Sequence, residues 1–172
     1  MTGSVGRVGG FFRSAVPGLV LTLLVIAGST RLGLPLIGPV LPSFGLMGVF
    51  FWSVFRPDLM PYWLAFLIGL LMDILSGGPP GLNALLLLAA QAFCASQRRV
   101  LVGRTFPILW AGFALVAVAV GFISWLINCI YLAQFLVPFT ILMEVGITIA
   151  LFPLVVMIFT IINARFVPAA PE

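Results

Sequence analysis

Apolar run follows apolar run through this chain, and nothing between the runs is long or polar enough to build a water-facing surface. The whole sequence carries eight basic and four acidic side chains, 7% of its residues, where a soluble domain carries about 25%. Such a chain satisfies its backbone only as helices packed on one another inside a bilayer. Its mean hydropathy of +1.30 fits an integral membrane protein. At 172 residues it makes one domain, because no hydrophilic segment could fold separately.

An isoelectric point near 10.1 would suggest nucleic acid as the partner of a soluble protein. Here each basic residue is an isolated arginine or an arginine pair beside an apolar run. That pattern is a topology signal and not a phosphate-tracking patch. The chain has no histidine and no lysine. Lack of histidine removes the commonest metal ligand and acid–base group near neutral pH, and with it a base for an intramembrane serine nucleophile. Asp58 and Asp73 are expected at opposite membrane edges, so they cannot form an aspartyl-protease pair. Cys94 and Cys129 are likewise expected at opposite ends of their helices, roughly 30 Å apart and far beyond disulfide reach. No catalytic, metal or cofactor constellation remains.

Residues 1–10 are glycine-rich and polar and read as a flexible cytoplasmic tail. Phe11 to Thr30 is the first apolar run, with Arg13 and Pro17 in its first turns, where arginine snorkels and proline costs least. Its arginines and its small Ala27-Gly28-Ser29 also resemble a cleavable signal peptide. The later runs, however, need a retained first helix for their orientation. Pro35, Pro39 and Pro42 break the run Leu34 to Phe55, so regular helix is expected from Ser43, an N-cap type of residue. Phe44 to Phe55 then covers only ~18 Å, which places the prolines at membrane depth against other helices.

Leu59–Leu75, Leu82–Ser96 (extending towards Arg98), Phe106–Tyr131 and Phe135–Asn163 read as helices three to six. Pro138 is expected in the first turn of the sixth, and Pro153 is expected to kink it. The expectation is therefore an all-α six-helix transmembrane bundle over residues 11–165, with 166–172 as a second short cytoplasmic tail. With both termini inside, Arg7, Arg13, Arg56, Arg98, Arg99, Arg104 and Arg165 are cytoplasmic and only Arg31 is outside. Without the second span six arginines would lie outside, against the positive-inside rule.

Two acids fall within spans: Asp73 near the outer end of helix three, and Glu144 about two turns into helix six. An ionisable group costs at least ~2.5 kcal/mol at a helix centre, so each should face the bundle or a wet cavity. Two readings stay open. In one, the acids form a polar pocket for a small ligand or proton. In the other, Asp73 caps or brackets the Ser76–Gly81 loop and Glu144 fastens two helices. Arg31, also in the outer half, is placed to pair with either acid. Asn128 and Gln134 should bond locally around the turn between helices five and six.

Small residues recur at four-residue spacing in Ala65-x-x-x-Gly69, which runs on to Asp73, and in Ala117-x-x-x-Gly121 and Gly146-x-x-x-Ala150. Such faces let helix backbones approach closely, either within the bundle or against a partner helix. Gly77-Gly78-Pro79-Pro80-Gly81 reads as a tight external hairpin, with Asn83 placed to cap helix four. It lacks the lysine and hydroxyl of a phosphate loop.

The stretch from Arg56 to Leu85 carries the most specific pattern. Arg56-Pro57, Pro61-Tyr62-Trp63, Phe66-x-x-Gly69-Leu70-x-x-Asp73 and Gly78-Pro79-x-Gly81-Leu82-Asn83-Ala84-Leu85 closely resemble the bacterial rod shape-determining MreD family. The small size, the near absence of loops and the Arg98-Arg99 pair also fit. Pro80 departs from the family pattern, which usually has a bulky apolar residue there.

The resemblance implies a bundle like the substrate-binding subunits of energy-coupling-factor vitamin transporters. It also implies a non-enzymatic, cofactor-free role in maintaining rod shape in the bacterial inner membrane. MreD-like proteins sit beside the bitopic protein MreC and with it link the actin-like MreB to RodA and the penicillin-binding transpeptidase. On that basis Pro57, Pro61, Gly69, Asp73, Gly81 and Asn83 are the motif positions. Arg56, Asp58, Ala65, Arg98, Arg99, Arg104, Glu144 and Gly146 are candidate partner contacts or polar-core residues, in a chain otherwise facing membrane lipid and no nucleic acid. The alternative is a substrate-binding subunit of a vitamin-type importer, with Asp73, Glu144, Asn128 and Trp125 around an outward pocket.

Overall fold

The computed structural model describes residues 18–28, 42–101, 103 and 105–166. Arg31, Arg104, Pro35, Pro39, the expected tail 1–10 and all of the expected tail 166–172 but Phe166 lie outside the described residues. The described chain is helical throughout: α1 (Gly18–Gly28), α2 (Phe44–Phe55), a 3-10 turn at Pro57–Leu59, α3 (Tyr62–Ser76), α4 (Leu82–Leu101), α5 (Phe106–Leu132) and α6 (Phe139–Phe166). Two stretches are long and apolar enough to cross a membrane, α5 and residues Phe139–Ile161 of α6, with mean hydropathies of 2.3 and 2.5.

The short α2 is the centre of the molecule. All ten residues from Gly45 to Val54 are buried, because the helix is apolar on every side and can satisfy that only by being surrounded. Phe50 meets the rings of Phe113 on α5 and Phe152 on α6 edge-on, with centroids 5.2 and 5.6 Å away. Those two rings stack on each other at 3.8 Å. Further along α2, Phe51 packs on Phe159 at 5.3 Å. Large rigid rings interlocked in this way carry dispersion and quadrupole terms that hold without any hydrophobic drive between helices.

Helix ends differ from the sequence expectation in two places. Residues 57–59 leave the α-helix and form the 3-10 turn, so α3 starts at Tyr62 and not at Leu59. Pro61 precedes it, and its carbonyl accepts from Leu64 N–H at 3.0 Å. Pro138 is not within the first turn of α6. It precedes that turn, and its carbonyl accepts from Leu142 N–H at 2.9 Å. Proline keeps the residue before it out of helical backbone angles, which delays the helix past Val137.

Pro153 lies inside α6. It has no N–H to give the Ile149 carbonyl one turn back. Trp110 of α5 supplies the donor, its indole N–H reaching that carbonyl at 3.0 Å.

The α5–α6 turn is closed by Ala133 in the left-handed region, at φ 49°, and by Gln134 backbone N–H on the Cys129 carbonyl at 3.3 Å. Trp125 adds its indole N–H to the Leu136 carbonyl at 3.1 Å. The Asn128 amide turns back to the Ser124 carbonyl at 2.8 Å, within α5.

Candidate functional site

Asp73 ends the acidic side of α3 and reaches across to the start of α4. Its Oδ2 accepts from Gly81 N–H at 2.9 Å and Ala84 N–H at 3.4 Å, and its Oδ1 accepts from Asn83 N–H at 2.9 Å. The first turn of any helix leaves its N–H groups without intrahelical acceptors, and an anion there also meets the favourable end of the helix dipole. Asp73 is 4% exposed, so it serves α4 and has little access to anything else. The loop that lets it do so turns through Gly77 at φ 67° and Gly81 at φ 89°, backbone angles that favour glycine.

Asn83 does not cap α4 as the sequence suggests. It lies inside the first turn, where its own N–H needs an acceptor, and Asp73 provides that acceptor.

The same face of α3 explains its small residues. A Cβ built at Gly69 would fall inside contact distance of the Ala84 backbone, so α3 and α4 touch main chain to main chain. Ala65, one turn earlier, is fully buried, which is the close-packing use of that small-residue face. Gly146 is the opposite case. It is exposed, and nothing lies within 4 Å of a Cβ built there.

The other end of α4 is fastened to the chain around the 3-10 turn. Arg98 Nε donates to the Val54 carbonyl at 3.1 Å, and Gln91 Nε2 donates to the Met60 carbonyl. Gln91 is buried and was not singled out from the sequence. A lone amide in an apolar run was the available signal, since a buried amide must find a partner. Pro57 opens the 3-10 turn beside an Arg56–Asp58 ion pair at 3.5 Å. With Asp58 well exposed that pair stabilises little. Arg99 is exposed.

A family model for the rod shape-determining protein MreD matches residues 13–162. The chain belongs to the MreD family. No curated protein and no solved structure matches it. MreD is a non-catalytic rod-shape protein, so the clamps at Asp73, Gln91 and Arg98 serve architecture. The chain is a helical membrane protein with two long candidate spans among its described residues.

A polar cavity also lies among the described helices. Where α2 and α4 begin, a cavity of about 50 Å³ opens between α2, α4, α5 and α6, lined by Ser43, Asn83, Ser124, Glu144 and Thr148 among others. Thr148 Oγ1 accepts from Ser43 N–H at 3.0 Å. Glu144 has no hydrogen-bond or ion-pair partner among the described residues, so it does not fasten two described helices. Asp73, Asn128 and Trp125, grouped with Glu144 in the importer reading, do not line this cavity. Each is already committed, to α4, to Ser124 and to Leu136 respectively.

Proposed function

We propose that this chain is a non-catalytic membrane scaffold of the cell-wall elongation complex in the bacterial inner membrane. It binds MreC and so helps link the MreB cytoskeleton to RodA and the penicillin-binding transpeptidase. The match to the MreD family over residues 13–162 is the observation that carries this reading. The exposed residues support it. The membrane-length windows of α5 and α6 are only 22% buried within the chain, leaving long apolar faces for lipid and partner helices. Gly146 and Ala150 lie open on α6, a small-residue spacing that permits close helix approach.

The orientation that fits has both termini in the cytoplasm, with Arg56, Arg98 and Arg99 at the inner edge under the positive-inside rule. A bundle like the vitamin-binding subunits is part of the same reading, on the family resemblance and the count of six helices. The test is purification of the tagged protein from its own cells in gentle detergent. Recovery of MreC with the wall-synthesis enzymes is the expected result. Recovery of a transporter membrane subunit with its ATPases would overturn the reading.

A further inference from the structure

The Glu144 cavity holds the one acidic side chain in the described helices that has no partner there. Asp58 pairs with Arg56, and Asp73 is spent on α4. The described arginines cannot reach Glu144. Arg56 follows the C-terminus of α2 and Arg98 and Arg99 lie in the last turn of α4, whereas the cavity lies where both helices begin. An acid within a membrane helix is costly and by default marks a functional site.

The cavity is not built for an anion. The α4 start at the cavity has its N–H groups taken by Asp73 and by the Pro79 carbonyl, so that helix end offers an anion nothing. What the lining offers is the Glu144 carboxyl with the polar side chains of Ser43, Asn83, Ser124 and Thr148. An ammonium has three donors and no acceptor, and several separate acceptors suit it. A guanidinium asks for a flat two-pronged acceptor. About 50 Å³ is room for roughly three or four waters, enough for an ammonium and its nearest methylenes. An aminophospholipid would bring its phosphate in two carbons behind the amine, against Glu144. A lysine trails only an apolar stem, which suits Leu46, Leu86 and Val120 in the same lining.

We propose that this cavity receives a single lysine side chain from the extracytoplasmic edge of a protein partner, with Glu144 as its counter-ion. The proposal rests on the scaffold reading and gives it a specific contact.

The sequence makes the test clean. This chain contains no lysine, so a zero-length carbodiimide, which joins a carboxyl to an amine only where they touch, has no internal lysine to use. Native membranes are treated, the tagged chain is purified, and the residue joined to Glu144 is identified by peptide mass spectrometry. The expected product is an amide between Glu144 and a lysine of another protein's extracytoplasmic segment. It is lost in Glu144→Gln. In a detergent sample stripped of partners, glycinamide labels Glu144, showing that the carboxyl is reachable. An amide to an aminophospholipid, an amide to the chain's own amino terminus, or no amide at all overturns the proposal. If these occur while MreC is recovered, the scaffold reading survives and the lysine contact alone fails.

Discussion

Trp110 on α5 donates its indole N–H to the Ile149 carbonyl on α6 at 3.0 Å, and that carbonyl is the one Pro153 leaves without a helical donor. A proline inside a membrane helix is tolerated when a neighbour satisfies the freed carbonyl, and here a neighbouring helix does so. Trp110→Phe keeps an aromatic ring but removes the donor, and should cost about 0.6 kcal/mol, the measured average for bonds between membrane helices, and no more than about 1.7 kcal/mol. In a Pro153→Ala background residue 153 regains its N–H, and the same change should cost close to nothing. A double-mutant cycle of unfolding free energies in bicelles checks this. Equal costs in both backgrounds would show that the tryptophan acts by packing alone.

Asp73→Asn tests the clamp on α4. The amide keeps one acceptor oxygen, but its NH2 then faces donors where the carboxylate accepted from Gly81, Asn83 and Ala84. Loss of a helix cap costs roughly 0.5–2 kcal/mol. The variant should fall in that range, and amide hydrogen exchange should accelerate at Asn83 and Ala84 while the middle of α4 keeps its protection. Acceleration spread evenly along α4 would contradict a local capping role.

These relationships were unevenly legible in the chain. The helix order came from apolar runs and prolines, because hydropathy alone decides what a bilayer accepts. The exact starts of α3 and α6 did not, since a 3-10 turn and the restriction ahead of Pro138 depend on local backbone angles. Asp73 was visible as an acid that had to face inward, yet its choice of the α4 amides depends on how closely Gly69 lets the two helices approach. Gln91 and Trp110 were missed because their acceptors, Met60 and Ile149, lie on other segments. A sequence shows a donor but not which distant carbonyl lacks one. Glu144 stood out as a charge, and only packing showed that it stands apart from Asp73.

Two glycines at the same helical spacing should respond in opposite ways. Gly69→Ala pushes a methyl group into the Ala84 backbone, which has no side chain to swing aside, and overpacking of this kind costs about 1–3 kcal/mol. Gly146→Ala meets nothing within 4 Å and should be neutral or stabilise by up to about 1 kcal/mol through helix propensity. Thermal unfolding of the two variants in detergent gives the comparison. If Gly146→Ala leaves stability unchanged but weakens MreC recovery, the open face of α6 is a docking face.

Arg98 and Arg99 are adjacent in sequence and should also separate. Both are exposed, but Arg98 Nε reaches the Val54 carbonyl at the end of α2, an orphan acceptor of the last helical turn, and Arg99 makes no such bond among the described residues. As topology signals the two are equivalent, one charge each at the same edge. Arg98→Ala should therefore cost about 1 kcal/mol through the lost bond, and Arg99→Ala should stay within about 0.5 kcal/mol. Urea unfolding in mixed micelles measures both, and a cysteine-accessibility map confirms that neither change inverts the protein. Equal, small effects would mean that the α2–α4 contact is held by the buried residues of α2 alone and that Arg98 matters only as charge.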